Sequence, residues 1–158
     1  MTMEQESPNI YKNARKASGL TQERWAELLG VSVEAVRQYE TDKILPSDTI
    51  ALRMAEVAGQ TIVCYWHLLN KSRVAVELLP DVEDVPLPQA VLQLLRRMRD
   101  FDKRHRLDEL VEIAEDGVVD PSERPGFDAI VSELMDLFAA AMQVKFSQKE
   151  NTDSGRQI

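Results

Sequence analysis

Apolar residues recur every three or four positions along most of this 158-residue chain, which is the period of an amphipathic helix. Glycine and proline, which interrupt helices, number only six and seven. A chain with this spacing and so few breakers has little opportunity to form strands and tight hairpins. We therefore expect an all-α fold.

Five short helices are predicted between residues 9 and 70. Four of them begin at a side chain that commonly caps helix N-termini, namely Asn9, Thr21, Ser32 and Ser47. Three are expected to end at a glycine, because glycine adopts the left-handed backbone that often follows a helix: Gly19, Gly30 and Gly59. These signals predict one compact domain over residues 9–70.

A second helical region is predicted after an acidic, proline-containing stretch over residues 79–88 (LPDVEDVPLP), which is interpreted as a linker. Residues 89–149 are predicted to form a helical hairpin. The phase of the apolar stripe slips around residues 103–106, so a kink or a break into two helices is expected there. The polar residues 150–158 are predicted to be a disordered tail.

The last predicted helix carries the most regular apolar spacing in the chain. Six residues alternate by three and four positions, as in a heptad seam: Phe127, Ile130, Leu134, Leu137, Ala141 and Val144. Such a seam is buried either within the C-terminal region or between subunits. We interpret residues 89–149 as an oligomerisation domain, giving a dimer or tetramer.

The segment from residue 14 to residue 59 resembles the Cro/C1-type (XRE) helix-turn-helix family of phage and bacterial repressors. The resemblance rests on matches spaced over about fifty residues, among them Arg15, Gly19-Leu20-Thr21-Gln22, Ala26, Leu29-Gly30-Val31-Ser32, Val36, Tyr39-Glu40 and Pro46. It implies a lambda-repressor-like domain of about five helices. It also implies a transcriptional regulator that binds double-stranded DNA. Such a regulator recognises palindromic sites as a symmetric oligomer.

Position by position, the resemblance implies roles for individual side chains. Residues at the start of the second helix, along the third helix and in the loop after it are expected to contact bases or phosphates: Gln22, Ser32, Val33, Glu34, Arg37, Gln38 and Lys43. Val33 and Glu34 would occupy the first exposed positions of the recognition helix. Arg15 and Glu40 resemble the family's structural ion pair.

Charge favours a second interpretation. The net charge is −8, and a carboxylate at Glu34, where many family members place Gln, Arg or Ser, repels phosphates. The alternative is a protein–protein module, an antitoxin or anti-repressor-like adaptor that uses the helix-turn-helix as a scaffold and binds a protein partner through its C-terminal region.

One basic cluster stands out, in residues 96–106: Arg96, Arg97, Arg99, Lys103, Arg104 and Arg106. It is interpreted first as a solvated helix face balanced by neighbouring acids. A DNA-backbone contact or a surface for an acidic partner is the alternative.

No other motif points to chemistry. His67 and His105 are far apart and Cys64 is the only cysteine, so no metal or cofactor is expected. Neither a phosphate-binding glycine loop nor a nucleophile motif occurs, and no enzymatic activity is expected. With neither an apolar leader nor a membrane-length apolar run, the chain is expected to be cytoplasmic.

Overall fold

The computed structural model describes residues 9–147, and all regular secondary structure in this range is helical. The helices are α1 Ile10–Ala17, α2 Gln22–Leu29, α3 Val33–Glu40, α4 Asp48–Ala58, α5 Ile62–Lys71, α6 Arg73–Leu78, α7 Leu87–Lys103, α8 Arg106–Ile113 and α9 Arg124–Phe146. The all-α prediction is confirmed. The predicted tail, 150–158, lies outside the described residues.

The described chain divides into two compact units after Leu79. The first unit contains the five predicted helices and a short additional one, α6. Ser72 begins α6, since its Oγ accepts a hydrogen bond from the Ala75 amide at 3.2 Å. The segment 80–86, inside the stretch interpreted as a linker, belongs to the second unit, and its Val82 and Val85 are buried.

The predicted helix ends of the first unit are present. Each of the four expected N-cap side chains accepts a backbone N–H three residues ahead, at Lys12, Arg24, Ala35 and Ile50. The three expected glycines adopt left-handed backbone, with φ between 63° and 70°. Local residue chemistry therefore accounts for most of the helix boundaries in this unit.

The core of the first unit lies where α1, α2, α3, α4 and α5 meet. Its buried residues are Tyr11, Ala14, Trp25, Ala26, Leu29, Val36, Met54, Ala55 and Val63. A polar chain also links these helices: the Tyr11 hydroxyl is hydrogen-bonded to His67 Nδ1 at 2.8 Å, and His67 Nε2 lies 3.0 Å from Asp48 Oδ1. Buried polar groups paired in this way avoid the cost of unmet hydrogen bonds.

In the second unit, α7 and α9 pack as an antiparallel pair and α8 lies in the connection between them. Two ion pairs show the antiparallel direction. Arg97 on α7 pairs with Asp136 on α9, and the later Arg104 pairs with the earlier Glu133. The predicted break at residues 103–106 is confirmed: α7 ends at Lys103, His105 is left-handed at φ 52°, and α8 begins at Arg106.

Candidate nucleic-acid interface

The turn between α2 and α3 is closed by Gly30. Its backbone is left-handed, with φ 70° and ψ 33°, and its N–H donates to the carbonyls at the end of α2. The Val31 amide then donates to the Ala26 carbonyl at 3.1 Å. Ser32 starts α3 directly afterwards, with its Oγ accepting from the Ala35 amide at 3.1 Å. The chain thus reverses into a new helix within three residues.

One face of α3 is fixed in the core. Val36 is fully buried, and Tyr39 packs against the same cluster. Val33 also packs there and is half-buried, so the expectation that its position is exposed was wrong. The reason is the packing of the α3 N-terminus against the core, which leaves only part of the valine side chain at the surface.

The opposite face of α3 is open. The side chains of Glu34 and Arg37 are 66% and 56% exposed, with the Glu34 carboxylate 3.7 Å from the Arg37 guanidinium. Gln38 Nε2 lies 3.5 Å from Glu34 Oε1. Ser32 at the start of the helix and Lys43 after its end are exposed as well. The structure therefore places these five predicted residues along one accessible strip.

Arg15 and Glu40 form a bidentate ion pair behind this strip. Arg15 Nε donates to Glu40 Oε1 at 2.5 Å and its second guanidinium nitrogen donates to Oε2 at 3.0 Å. The side chains are only 12% and 4% exposed. The hydrogen bonds to Glu40 raise the pKa of Arg15 above its ordinary value. The same guanidinium donates to the Leu20 carbonyl at 2.8 Å, which ties α1 to the entry of α2.

Gln22 joins this ion pair. Its Nε2 donates to Glu40 Oε2 at 2.9 Å, and the residue is half-buried. The amide nitrogen is therefore held by the C-terminus of α3, whereas the resemblance implies that this side chain bridges a phosphate and a base-reading residue. The link fixes the first turn of α2 relative to the last turn of α3.

The loop that carries Lys43 is held by contacts that sequence reasoning missed. Asp42 is left-handed at φ 56°, and the Lys43 amide donates back to the Gln38 carbonyl at 3.0 Å, which closes α3 as a Schellman motif. Asn9 Nδ2 lies 2.7 Å from both the Tyr39 carbonyl and Asp42 Oδ1. Asn9 signals a helix cap in the sequence, but nothing there indicates a partner 33 residues away.

Half of the basic cluster in the second unit is paired. Arg97 binds Asp136, Arg104 binds Glu133, and Arg106 binds both Glu133 and Glu109. The sequence predicted that acids at neighbouring positions would balance these cations. In the structure, most of the paired acids come from α9 instead. Within residues 9–147, no ion pair holds the other three cations, Arg96, Arg99 and Lys103.

The six residues of the predicted oligomer seam divide between two environments on α9. Phe127, Ile130 and Leu137 pack into the core of the second unit, and Ile130 is fully buried. The other three are exposed or half-buried: Leu134, Ala141 and Val144. The heptad pattern thus covers a core face and part of an outer face.

Comparison with known proteins shows which sequences this part of the chain is similar to. The sequence model of the helix-turn-helix family matches residues 12–63. A protein of Methanocaldococcus jannaschii named "Putative HTH-type transcriptional regulatory protein" is 26% identical over 147 residues, covering 93% of this chain and 41% of its own length. A protein of the same description from Thermococcus gammatolerans is 33% identical over 89 residues, 56% of this chain and 28% of its own.

The chain thus spans less than half the length of these two relatives. No solved structure gives a significant match. Among residues 9–147, every helix is too short or too polar to cross a membrane.

The family match covers α1 to the start of α5, the same helices that build the glycine turn, the buried ion pair and the exposed face of α3. Residues 12–63 are thus similar to the helix-turn-helix family, which confirms the resemblance predicted from the sequence.

Proposed function

We propose that this protein is a sequence-specific DNA-binding transcriptional regulator that acts as a symmetric oligomer on palindromic sites. The observation that carries the proposal is the exposed strip of α3, held in place by a buried face on the same helix. A helix presented in this way fits the major groove of B-DNA, where base edges are read by side chains of its first turns.

The exposed and half-buried side chains of this strip supply the required chemistry. Arg37 can donate to guanine O6 and N7 or to a phosphate, and Gln38 can bind adenine in a bidentate manner. Glu34 accepts hydrogen bonds, and cytosine N4 is the donor that a base edge offers to it. The exposed part of Val33 can contact a thymine methyl group. Ser32 and Lys43 flank the strip, where they would meet phosphates.

A symmetric oligomer follows from the modest electrostatics of one domain. Residues 1–60 hold seven Lys and Arg against nine Asp and Glu, a net charge of −2. A single α3 of eight residues makes few contacts, and each exposed cation neutralises only one phosphate. Two linked domains on two half-sites raise affinity through effective concentration. A Gln22 released from Glu40 on binding would add one further phosphate contact per domain.

Salt-dependent duplex binding tests the proposal. Duplexes selected from a random pool by the purified chain should bind with log Kd rising by about 0.9 per phosphate contact for each log unit of salt. Lys43→Ala should lower that slope by about one per domain and leave base preference unchanged. Arg73→Ala removes an exposed cation on α6 and serves as the matched control with an unchanged slope.

The competing function is a protein–protein module built on the same domain. The observations that favour it are the net charge of −8 and the exposed Glu34 on the leading turn of α3. If the purified chain binds no duplex at about 50 mM salt, a condition that strengthens phosphate contacts, DNA binding is contradicted and this function replaces it.

A further inference from the structure

We infer that a second copy of this chain docks on one flank of the antiparallel pair α7 and α9. This flank, called the apolar flank below, is lined by exposed apolar residues of both helices: Leu87, Val91, Leu95, Met98, Val131, Leu134, Met135 and Phe138. The inference deepens the proposed function by naming the surface of its oligomer, and it rests on that function only for the DNA-binding readout of its test.

The α9 half of the apolar flank lies beside the buried face of that helix. With about 100° of rotation per residue, Val131 and Phe138 lie roughly a quarter turn from the buried Ile130. Ala140 and Asp136 lie about as far from Ile130 in the opposite sense. The apolar sector of α9 is therefore wider than its contact with α7, and its outer part is uncovered.

The α7 half has the same arrangement. Val91 and Met98 lie about a quarter turn from the fully buried Ala90, while Gln93 and Asp100 lie on its other side. In an antiparallel pair of right-handed helices, residues displaced in the same rotational sense from the contact line lie on the same side of the pair. The apolar residues of α7 and α9 therefore form one continuous surface.

The other flank of the pair is polar and already covered. Arg97 and Asp136 are 3.1 Å apart there, next to Gln93 and Gln143. The extended residues Pro80, Asp81 and Glu83 line the same cavity. The apolar flank has no equivalent cover among the described residues of the second unit.

The size of the apolar flank fits a protein partner. Each of its eight side chains is at least 36% exposed. Together they present on the order of 600 Å² per chain, at the top of the range for the largest patch on a monomer and close to the roughly 800 Å² per partner of a standard interface. Burying such a surface stabilises an assembly through the hydrophobic effect.

The chemistry of the flank selects a second copy as the occupant. Homodimer interfaces are more apolar than other interfaces, and a two-fold interface places the same patch on itself. An uncharged, apolar patch satisfies this self-complementarity, since it brings no like charges together in a chain with net charge −8. A nucleic acid or an acidic partner would need cations, which on α7 only border the edge of this flank next to Leu95, at Arg96, Arg99 and Lys103.

Light scattering on the full chain tests the inference. The wild type should have twice the mass of 17.9 kDa at tens of micromolar. Leu95→Glu puts a charge in the apolar flank and should raise the dimer dissociation constant by about tenfold or more. Gln93→Glu places the same charge on the same helix but on the polar flank, and should leave the dissociation constant unchanged. Far-ultraviolet circular dichroism checks that the variants keep their helices.

A monomeric wild type at these concentrations would overturn the inference, and so would a Leu95→Glu chain that dimerises as well as Gln93→Glu. Should Leu95→Glu lose helix content, Met98→Glu replaces it, because Met98 is 53% exposed. Duplex binding separates the two proposals. A dimer that binds no duplex contradicts the DNA binding of the proposed function and leaves this inference standing. A monomer that binds duplex contradicts this inference and the oligomeric part of the proposed function, but not its DNA binding.

Discussion

At the scale of single residues, the buried pair Arg15–Glu40 fixes the end of α3 relative to α1 and α2. Glu40 ends α3, Arg15 lies on α1, and Gln22 at the start of α2 donates to the same carboxylate. Three helices thus share one carboxylate. Removal of that charge leaves a guanidinium that is 12% exposed without its partner, which is costly in a low-dielectric environment.

Glu40→Gln should therefore lower the free energy of unfolding by about 3 kcal/mol. Glu27→Gln removes the same kind of charge from the exposed pair Arg24–Glu27, and its effect should stay below about 1 kcal/mol. Urea unfolding followed by circular dichroism measures both values. Equal losses of unfolding free energy in the two variants would show that burial does not increase the contribution of the Arg15–Glu40 pair to stability.

Under the proposed function, Glu34 would influence how the exposed strip of α3 meets DNA. Glu34→Gln removes a negative charge that would face phosphates in such a complex and frees Arg37 from its ion pair at 3.7 Å. We expect tighter binding to random duplex and a changed base preference, with each altered base pair worth about 1–3 kcal/mol. Fluorescence anisotropy with a panel of duplexes measures both effects.

Glu77→Gln on α6 makes the same change in net charge and serves as the control for Glu34→Gln. If both substitutions strengthen binding equally, long-range charge explains the effect. If Glu34→Gln changes neither affinity nor preference, Glu34 lies outside the interface.

At the scale of the elements, the turn at Gly30 sets the angle between α2 and α3. A Cβ built on Gly30 meets nothing within 4 Å, so space does not require glycine there. The requirement comes from the backbone, whose φ of 70° is unfavourable for residues with a Cβ.

Gly30→Ala should therefore lower the free energy of unfolding by about 1–2 kcal/mol through backbone strain alone. Gly30→Asn should cost less, because asparagine tolerates left-handed backbone. Thermal unfolding of the two variants shows which of them is the more stable. An asparagine variant less stable than the alanine variant would contradict this explanation.

At the scale of the whole molecule, ion pairs make stability depend on pH. Hydrogen bonds from Arg106 lower the pKa of Glu133 in the second unit, and those from Lys71 and then His67 lower the pKa of Asp48 in the first. A carboxyl with a lower pKa in the folded state binds fewer protons than in the unfolded state. Its stabilising contribution is present above the ordinary pKa values of 4.5 and 3.8 and is lost below them.

We therefore expect the urea midpoint to fall as pH drops from about 5 to about 3. Glu133→Gln should make this fall shallower, because one of the contributing carboxyls is gone. Unfolding curves at several pH values measure the slope. A midpoint that stays level or rises toward acid would contradict the assigned pKa directions.

The sequence by itself determined the features that arise between near neighbours. The N-caps Asn9 and Ser32, the glycine turn at residue 30 and the break at residues 103–106 are set by side-chain hydrogen bonds and backbone preferences within a few residues. The spacing of these signals was enough to indicate the family. Short-range interactions of this kind depend little on the rest of the molecule, so they can be recognised without a structure.

Only the tertiary structure decided which partner each side chain meets across the fold. Asn9 meets Asp42, Gln22 meets Glu40 and Arg104 meets Glu133 because helices distant in sequence pack side by side. The same holds for the apolar stripe of α9. Its period predicts a helix with a wide apolar sector, but the packing of α7 determines which part becomes core and which part remains exposed.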